Sequence, residues 1–587
     1  MTTELLPIPP QGPLDTEGRL VHEDDDAAQL ALALANVEAQ LAAARLGPDD
    51  LAELHVRTTD RARLDAVYDV LTERLQATAS APLVTVTEVD RLAVAGMTVA
   101  LDAVARRTST TYPHHHPHPH EGPVMTLENT LESRTTTGAE SLRGLCSGGV
   151  HLPGDTAYDA ARMPWNVAVD QRPAAVAVPR SAEEVATVVR AAVAAGLRVA
   201  PQSTGHNAAP LAQGSLDDVV LVRLSELTGV TIDPVALEAR VVGGTLWQDV
   251  VAAAAEHGLA VMHGSSPDVS AAGYTLGGGL SWYARQHGLA THQLTAVELV
   301  TAAGELVRVD AEHHPDLFWA VRGGGGNLGI VTALEIRLLP VADVYAGMLL
   351  WDRSAAAEVL RVWAAWTQEV PDSVTTAIRV MSFPPLPELP PFLSGRQLVV
   401  VDGAVLESDE RAAELLAPLR ALSPEMDTFG RMPAAGLVGI HMDPPGPTPA
   451  VSHHAMLESL PDEALDTLLG EVGHGTSTSL LFAELRHLGG ALARPDTGGA
   501  LSHLRGSYGL FCVAIAATPE MAAQGLLDAR AVTTAMRPWS MGALFLNFSE
   551  EQVDTSAGYD PESWARLQRV REAADPAGVF VANHQVR

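Results

Sequence analysis

Three glycine-rich loops carry the residues of this sequence best suited to meeting a ligand. The first, Gln202-Ser203-Thr204-Gly205-His206-Asn207, follows a run that reads as a strand and sets a histidine between glycine and asparagine. The second runs from Gly264-Ser265-Ser266-Pro267-Asp268-Val269 into Ala272-Gly273-Tyr274-Thr275-Leu276-Gly277-Gly278-Gly279-Leu280. The third is Arg322-Gly323-Gly324-Gly325-Gly326-Asn327-Leu328-Gly329-Ile330. Glycine lets backbone approach a ligand and aim N–H groups at phosphate oxygens, so loops from separate strands suit one pyrophosphate. Gly324, Gly326 and Gly329 spell G-x-G-x-x-G, but a dinucleotide fingerprint needs a strand before it and a helix after it. Here the chain continues as IVTALEIRLLP, which alternates like a strand, so a nicotinamide-dinucleotide site is rejected. Taken singly, each loop reads equally well as a tight turn. Their succession is what argues for a ligand.

A second set of residues suits proton transfer. In LLFAELRHLGG, read as a strand, Glu484 and Arg486 share one face and His487 points the other way. A carboxylate beside an arginine stays ionised and accepts a proton, although such a pair serves as well to hold structure. Tyr508 in LRGSYGLF is a second candidate base, or an aromatic packed in a strand, and His454 in VSHHAM is a third. The tract His114, His115, His116, His118 and His120 is interleaved with prolines, reads as a solvated linker, and is assigned no metal.

Elements must hold these groups in place. Residues 1–20 are rich in proline and glycine and read as loose. Leu30, Leu34, Val37 and Leu41 then fall on one helical face, LAELHVRTT reads as a strand, Asp60 is placed to cap a second helix through Val67 and Leu71 to Leu75, and two more strands follow in APLVTVTEVDRLA and MTVALDAVA. This small α+β unit spans 1–107, with a linker at 108–139. From residue 140 strands and helices alternate: PAAVAVPRSAEEVATVVRAAVAAGLRVAP gives strand, helix, strand. Its Ser181 and Glu184 suggest a capping box, Val185, Val188, Val189 and Val193 a buried face, and Gly196 a stop. Further domains are read at 140–340, 341–535 and 536–587, the last ending in a helix stopped at Asp575-Pro576.

Bulk composition narrows the classes of function. The 587 residues carry a formal net charge of −33, which disfavours nucleic acid and anionic membranes as partners. Two cysteines, Cys146 and Cys512, cannot build a disulfide framework or a cysteine metal site. With no apolar run near 20 residues and no secretory pattern in MTTELLPIPPQGPLDTEG, a cytoplasmic location is the default expectation.

The three loops, in this order, resemble those of the berberine-bridge-like family of FAD-linked oxidases, with its FAD-binding PCMH, or vanillyl-alcohol-oxidase, type of fold. Further matching segments are Trp165-Asn166, GTLWQDVV, VELVTAAGELV, HPDLFWAVRGGGGNLGIVTALEIRL and a closing DPAGVFVANHQV. The likeness spans residues 140–587 and is sharpest up to about residue 340. It implies two α/β subdomains for the flavin and a substrate domain whose antiparallel sheet is covered by helices. It also implies FAD held by Gln202 to Asn207, Ser265, Ser266, Asp268, Val269, Ala272, Gly273, Tyr274, Gly277, Gly279 and Leu280. Gly329 and Ile330 would meet the adenine side, and Asn547, Asn583 and His584 would close the site. By the same resemblance His206 is the covalent anchor of the flavin.

Departures from the family pattern matter too. A cysteine that makes a second flavin bond in many relatives is Ser266 here. A hydroxyl without a base is a far poorer nucleophile than a thiolate, so one bond through His206 is expected. The usual arginine of the histidine loop is Gln202, and a Tyr-x-Asn-Tyr motif is Phe545-Leu546-Asn547-Phe548, which removes a proton-bearing group. Residues 19–107 resemble the Rid (reactive intermediate deaminase) family, with the opening strand region shortened. Val84 stands where that family's substrate arginine falls, so the unit reads as degenerate, kept for packing or for a homo-oligomer. The function implied is an FAD-dependent oxidoreductase. It would pass a hydride from a hydroxylated small molecule (a sugar, glycoside or secondary metabolite) to the flavin and electrons on to O2. The alternatives are a dehydrogenase with another acceptor and a flavin-bearing binding protein.

Overall fold

Runs of valine, leucine and alanine bounded by glycine and proline make this a strand-rich chain. The computed structural model describes residues 138–587, except 386–389, 445 and 497. Ahead of them it describes 2–11, 26–27, 29–30, 33–34, 37, 41, 51–67, 83–89, 92 and 97–109. The histidine tract and most of the expected linker lie outside the described residues. Two compact units emerge, Met1–Leu131 and Glu132–Arg587.

The first unit is a four-stranded sheet of β1 (Thr2–Gln11), β2 (Leu51–Thr58), β3 (Leu83–Glu88) and β4 (Val99–Ser109), in the order β1-β4-β2-β3. Leu30, Leu34, Val37 and Leu41 are buried against Leu54, Val56 and Leu101, as their spacing requires. Asp60 caps the helix Arg61–Asp65 by accepting from the amides of Ala62 and Arg63. The expectation of a loose N-terminus and a shortened opening strand is corrected, because Thr2–Ile8 pair antiparallel with Ser109–Ala103. Proline disguised this strand. Pro7, Pro9 and Pro10 lack the N–H that a central strand needs. Among the described residues β1 pairs on one side only, and its register shifts between Ile8 and Gln11, where Pro9 and Pro10 sit.

The second unit opens with β5 (Val150–His151), β6 (Ala175–Ala177), β7 (Arg198–Gln202) and β8 (Val219–Arg223), in the order β5-β6-β8-β7. β6, β8 and β7 run parallel. The helix Ala182–Ala194 makes the crossover. Ser181 caps it by accepting from the Glu184 amide, but the reciprocal half of the expected box is missing. The Glu184 carboxylate accepts instead from the amides of Arg180 and Ser147. Val185, Val188, Val189 and Ala192 form its buried face, while Val193 is exposed, because a 3.6-residue period reaches 192 before 193. β9 (Val230–Asp233), β10 (Glu238–Val242), β11 (Leu294–Val300), β12 (Leu306–Asp310) and β13 (Ile330–Arg337) then form an antiparallel sheet, β12-β11-β13-β10-β9. The third glycine loop lies between the helix Pro315–Val321 and β13, the reverse of a nicotinamide-dinucleotide turn.

β14 (Asp343–Asp352), β15 (Val374–Ser382), β16 (Gln397–Val405), β17 (Met426–Asp427), β18 (Gly430–Pro433), β19 (Ala450–Leu457), β20 (Leu480–His487) and β21 (Tyr508–Ile515) build an eight-stranded antiparallel sheet. One face carries Ile378, Val401, Leu485 and Leu510 and is covered by the helices Ala356–Thr367, Asp409–Arg420, Asp462–Val472 and Pro519–Ala535. Among the described residues no helix is long and apolar enough to cross a membrane.

The chain closes by returning to the first sheet. After the helix Pro561–Ala574, the Asp575 carboxylate, fully buried, accepts from the amides of Val579 and Phe580 at 2.8 and 2.9 Å. The Val199 amide then donates to Val579 O and the Val581 amide to Val199 O, both at 2.8 Å, so the segment docks along β7. A buried amide left without a partner costs about 1–3 kcal/mol. Asp575→Ala strands two of them and is expected to lower stability by about 2–5 kcal/mol in denaturant unfolding. A loss under about 0.5 kcal/mol would remove Asp575 as the tie.

Candidate functional site

The strand ends and glycine loops converge on one cavity of about 460 Å³, walled on its far side by the large antiparallel sheet. Gln202 to Asn207 line it from the end of β7. Ser265, Ser266, Val269, Ala272, Gly273, Tyr274, Gly277 and Leu280 line it from the second loop and the helix Ala271–Leu276. Gly329 enters with the third loop, and Asn547, Asn583 and His584 from the closing segment. Three of the expected flavin-site residues do not face the cavity. Asp268 stands behind His206, Gly279 is packed against Tyr274 and Ala290, and Ile330 is buried in the core behind its loop.

His206 is clamped. Its ring stacks on Trp165 at 4.0 Å between centroids, its Nδ1 lies 2.8 Å from Thr204 Oγ1, and its Nε2 lies 3.3 Å from Asp268. Asp268 also accepts from Trp165 Nε1 at 2.6 Å and from Ser266 Oγ at 3.0 Å. Burial alone would raise the Asp268 carboxyl, but its contacts with His206 and Trp165 outweigh that and bring it down to about 2. Ser266, expected to lack a base, has its hydroxyl turned to this carboxylate.

Gln202, which replaces a cation, accepts from Arg223 Nη1 at 2.6 Å and pairs with Gln171. A positive charge therefore sits one strand over, on β8, a compensation legible only once β7 and β8 are known to be neighbours. Asn547 Nδ2 donates to Tyr274 O at 3.0 Å. His584 Nε2 lies 3.1 Å from Leu546 O, and the Asn583 amide donates to Asn207 O, so the closing segment and the histidine loop are joined directly.

Strand alternation sorts the proposed bases. Phe511, Val513 and Ile515 of β21 face the cavity, so Tyr508 faces the helices. It is fully buried there, its hydroxyl 2.6 Å from both Thr367 Oγ1 and Gln368 Nε2, and it is withdrawn as a base. His454 faces inward, but its Nε2 accepts from the Phe545 amide, and burial drives the ring down to about 3.

Glu484 and Arg486 do share a face, with Arg486 Nε 3.0 Å from Glu484 Oε2, and His487 packs near Trp363 on the other. Arg486 lines the cavity, whereas Glu484 is sealed behind it. The sequence reading missed His441, which lines the cavity beside Arg486. Its Nδ1 lies 2.8 Å from Asp402 Oδ2, and its Nε2 lies 3.5 Å from Glu484 and 4.0 Å from Asp443. Asp402 is paired with Arg379 at 2.5 Å, and although burial opposes its charge, Arg379 and His441 hold its carboxyl below the usual range. A His-x-Asp in the proline-rich GIHMDPPG was the available signal.

The lining fits a flavin dinucleotide. Among the described residues the backbone N–H groups of Ser203 to Asn207 make no hydrogen bond to an acceptor in the chain. A Cβ on Gly273 would meet nothing within 4 Å, so its smallness leaves the cavity clear rather than accommodating a neighbour. Asn207 Oδ1 and the Tyr274 hydroxyl are buried at this wall without a partner.

Together these features define a dinucleotide-binding flavoprotein fold with a substrate wall facing the cofactor loops. The FAD binding domain family matches residues 173–310, and the Endoribonuclease L-PSP family, to which Rid proteins belong, matches residues 2–107. (R)-6-hydroxynicotine oxidase of Paenarthrobacter nicotinovorans is 28% identical over 464 residues, 75% of this chain and 96% of that one. Xylooligosaccharide oxidase of Thermothelomyces thermophilus is 33% identical over 214 residues, 36% of this chain and 43% of that one. The crystal structure of 6-hydroxy-D-nicotine oxidase from Arthrobacter nicotinovorans superposes with a TM-score of 0.66 at 25% identity, covering 75% of this chain and 98% of its own. Physcomitrella patens BBE-like 1, at 21% identity and a TM-score of 0.65, shares the fold. The chain carries an FAD binding domain with a Rid-family unit ahead of it, and its homologues are FAD-linked oxidases.

The Asp268 shift predicts a pH signature. A carboxyl near 2 when folded and about 3.9 when unfolded adds stability that is complete above about pH 4 and is lost as pH falls towards 2. In acid-unfolding curves Asp268→Asn is expected to be less stable than the parent at pH 6, with the gap closing by about pH 2. A gap independent of pH would contradict the assignment.

Proposed function

We propose that this chain is an FAD-dependent oxidase of a small hydroxylated or amine-bearing molecule, with its flavin carried on a single covalent bond to His206. The observation that carries the reading is the conjunction, in one cavity, of unpaired loop amides, the cleared space at Gly273 and a clamped histidine. When bound, FAD supplies the acceptor for a hydride and passes two electrons on to O2, giving H2O2. Gln202 to Asn207 and the second loop would hold its pyrophosphate, and Asn583 and His584 would close over it. Trp165 and Asp268 hold the His206 ring in one orientation, which prepares one nitrogen for bond formation. Ser266 hydrogen-bonds to Asp268 and supplies no thiolate for a second bond.

Substrate is deprotonated from the sheet side. His441 meets the cavity there. Asp402, held ionised, accepts from its Nδ1 and fixes the ring, which leaves Nε2 to exchange a proton with substrate. Glu484, behind it, holds Arg486 in place.

Acid precipitation of the purified protein tests the anchor. Flavin is expected in the pellet, and in His206→Ala it is expected in the supernatant; flavin in the parent's supernatant would remove the covalent bond. Colourless protein that takes up no FAD would overturn the whole reading. For the proton, His441→Gln is expected to slow anaerobic flavin reduction by about 100-fold or more, the usual worth of a general base. An unchanged rate would exclude His441.

A further inference from the structure

The charges gathered around His441 do not balance. Arg379 pairs with Asp402 at 2.5 Å, and Arg486 with Glu484 at 3.0 Å. Asp443 is a third carboxylate, and it lines the cavity. Among the described residues no arginine lies within ion-pair distance of it. Its Oδ2 accepts from the Ser265 hydroxyl at 2.8 Å, and its Oδ1 lies 4.0 Å from His441 Nε2. Ser265 belongs to the second glycine loop, so Asp443 joins that loop to the sheet side of the cavity. Met442, between His441 and Asp443, is exposed and holds the left-handed backbone conformation, φ +59°. A residue other than glycine keeps such strain only where its surroundings over-determine it.

We propose that Asp443 is a positioning residue for proton transfer: held by Ser265, it is the counter-charge to the cation that His441 becomes when its Nε2 takes a proton. The proposal rests on the reading of His441 as the base and adds the group that makes it one. Three observations carry it. First, two arginines against three carboxylates leave a negative charge over while His441 is neutral. A proton on the ring removes that excess, and charge held in a poorly solvated wall is costly unless it is answered. Second, the two ring nitrogens are provided for separately. Nδ1 faces Asp402 at 2.8 Å, whereas a proton arriving at Nε2 from a substrate hydroxyl or amine meets Glu484 Oε1 at 3.5 Å and Asp443 Oδ1 at 4.0 Å. Third, the two carboxylates at Nε2 differ in commitment. Glu484 is fully buried and already answers Arg486, whereas Asp443 reaches the cavity and has only a neutral hydroxyl for a partner.

His441 is faced by Arg379 from β15, Asp402 from β16, Glu484 and Arg486 from β20, Asp443 from its own loop and the Trp282 ring at 5.6 Å. Arg379 Nη1 donates to His441 O at 3.0 Å, which fixes the backbone at the ring. An opposite charge within about 4–6 Å favours the charged form of a group. The two strand carboxylates are offset by their arginines, so Asp443 is the one whose full charge acts on the ring.

Hydrogen–deuterium exchange at the C2 carbon of histidine, read by peptide mass spectrometry on the purified full chain, tests this without a substrate. The rate follows the protonated fraction of each ring, so its midpoint over a pH series is that ring's own titration. Asp443→Asn removes the charge and keeps an oxygen that can accept from Ser265. In it the His441 midpoint is expected to fall by about one pH unit or more, as the loss of a unit charge at this distance requires. Asp443→Glu is expected to recover at least half of the fall, and exposed His257 to keep its midpoint in both. An unmoved His441 midpoint in Asp443→Asn, an equal fall in Asp443→Glu, or an equal movement at His257 would overturn the proposal. An unchanged rate of flavin reduction in His441→Gln sinks the base reading instead, and the exchange midpoints then still report on Asp443.

Discussion

Successive side chains of a strand must point to opposite faces of its sheet, and the working half of this molecule depends on that constraint. One face of the eight-stranded sheet is committed to helices through Ile378, Leu485, Leu510 and Trp363. The other is thereby left to form a wall, and every candidate for proton transfer is sorted by parity before chemistry enters. Tyr508 is three residues from Phe511 and so falls among the helices. Glu484 and Arg486 fall on the cavity side together. A shift of one residue in β20 or β21 would exchange the two faces and bury the wrong set.

The same wall buries charge, which is costly unless each group finds its partner. Arg379, Asp402, His441, Glu484 and Arg486 form a continuous chain of contacts with alternating character, and Asp402 and Glu484 are both fully buried. Such a chain fixes each member's orientation more firmly than packing alone. That suits a histidine required to present one nitrogen to the cavity.

Much of this was legible in the sequence because local rules sufficed. The three loops, the Ser181 cap, the helix through Val185, Val188 and Val189, and the strand that follows Gly329 each follow from short-range spacing. What escaped depends on contacts distant in sequence. Arg223 replaces the charge missing at Gln202 only because β8 lies beside β7. His441 sits in a proline-rich loop with no periodicity to mark it, and its meaning comes from Asp402 and Glu484, on two different strands. The opening strand was hidden because three prolines argue against a strand in general, yet not against one that pairs along a single edge.

The cavity is closed by the bond from Asn583 to Asn207 O and by the docking of Val579 to Val581 on Val199, contacts that span more than 370 residues of chain. Joining such distant segments carries a large loop-closure cost, and high contact order slows folding. Both subdomains and the substrate sheet have to be substantially formed before these partners meet. The dinucleotide pocket is therefore among the last features of the fold to mature. Cofactor capture becomes a checkpoint on folding: a chain that holds its flavin has already brought its most distant parts together.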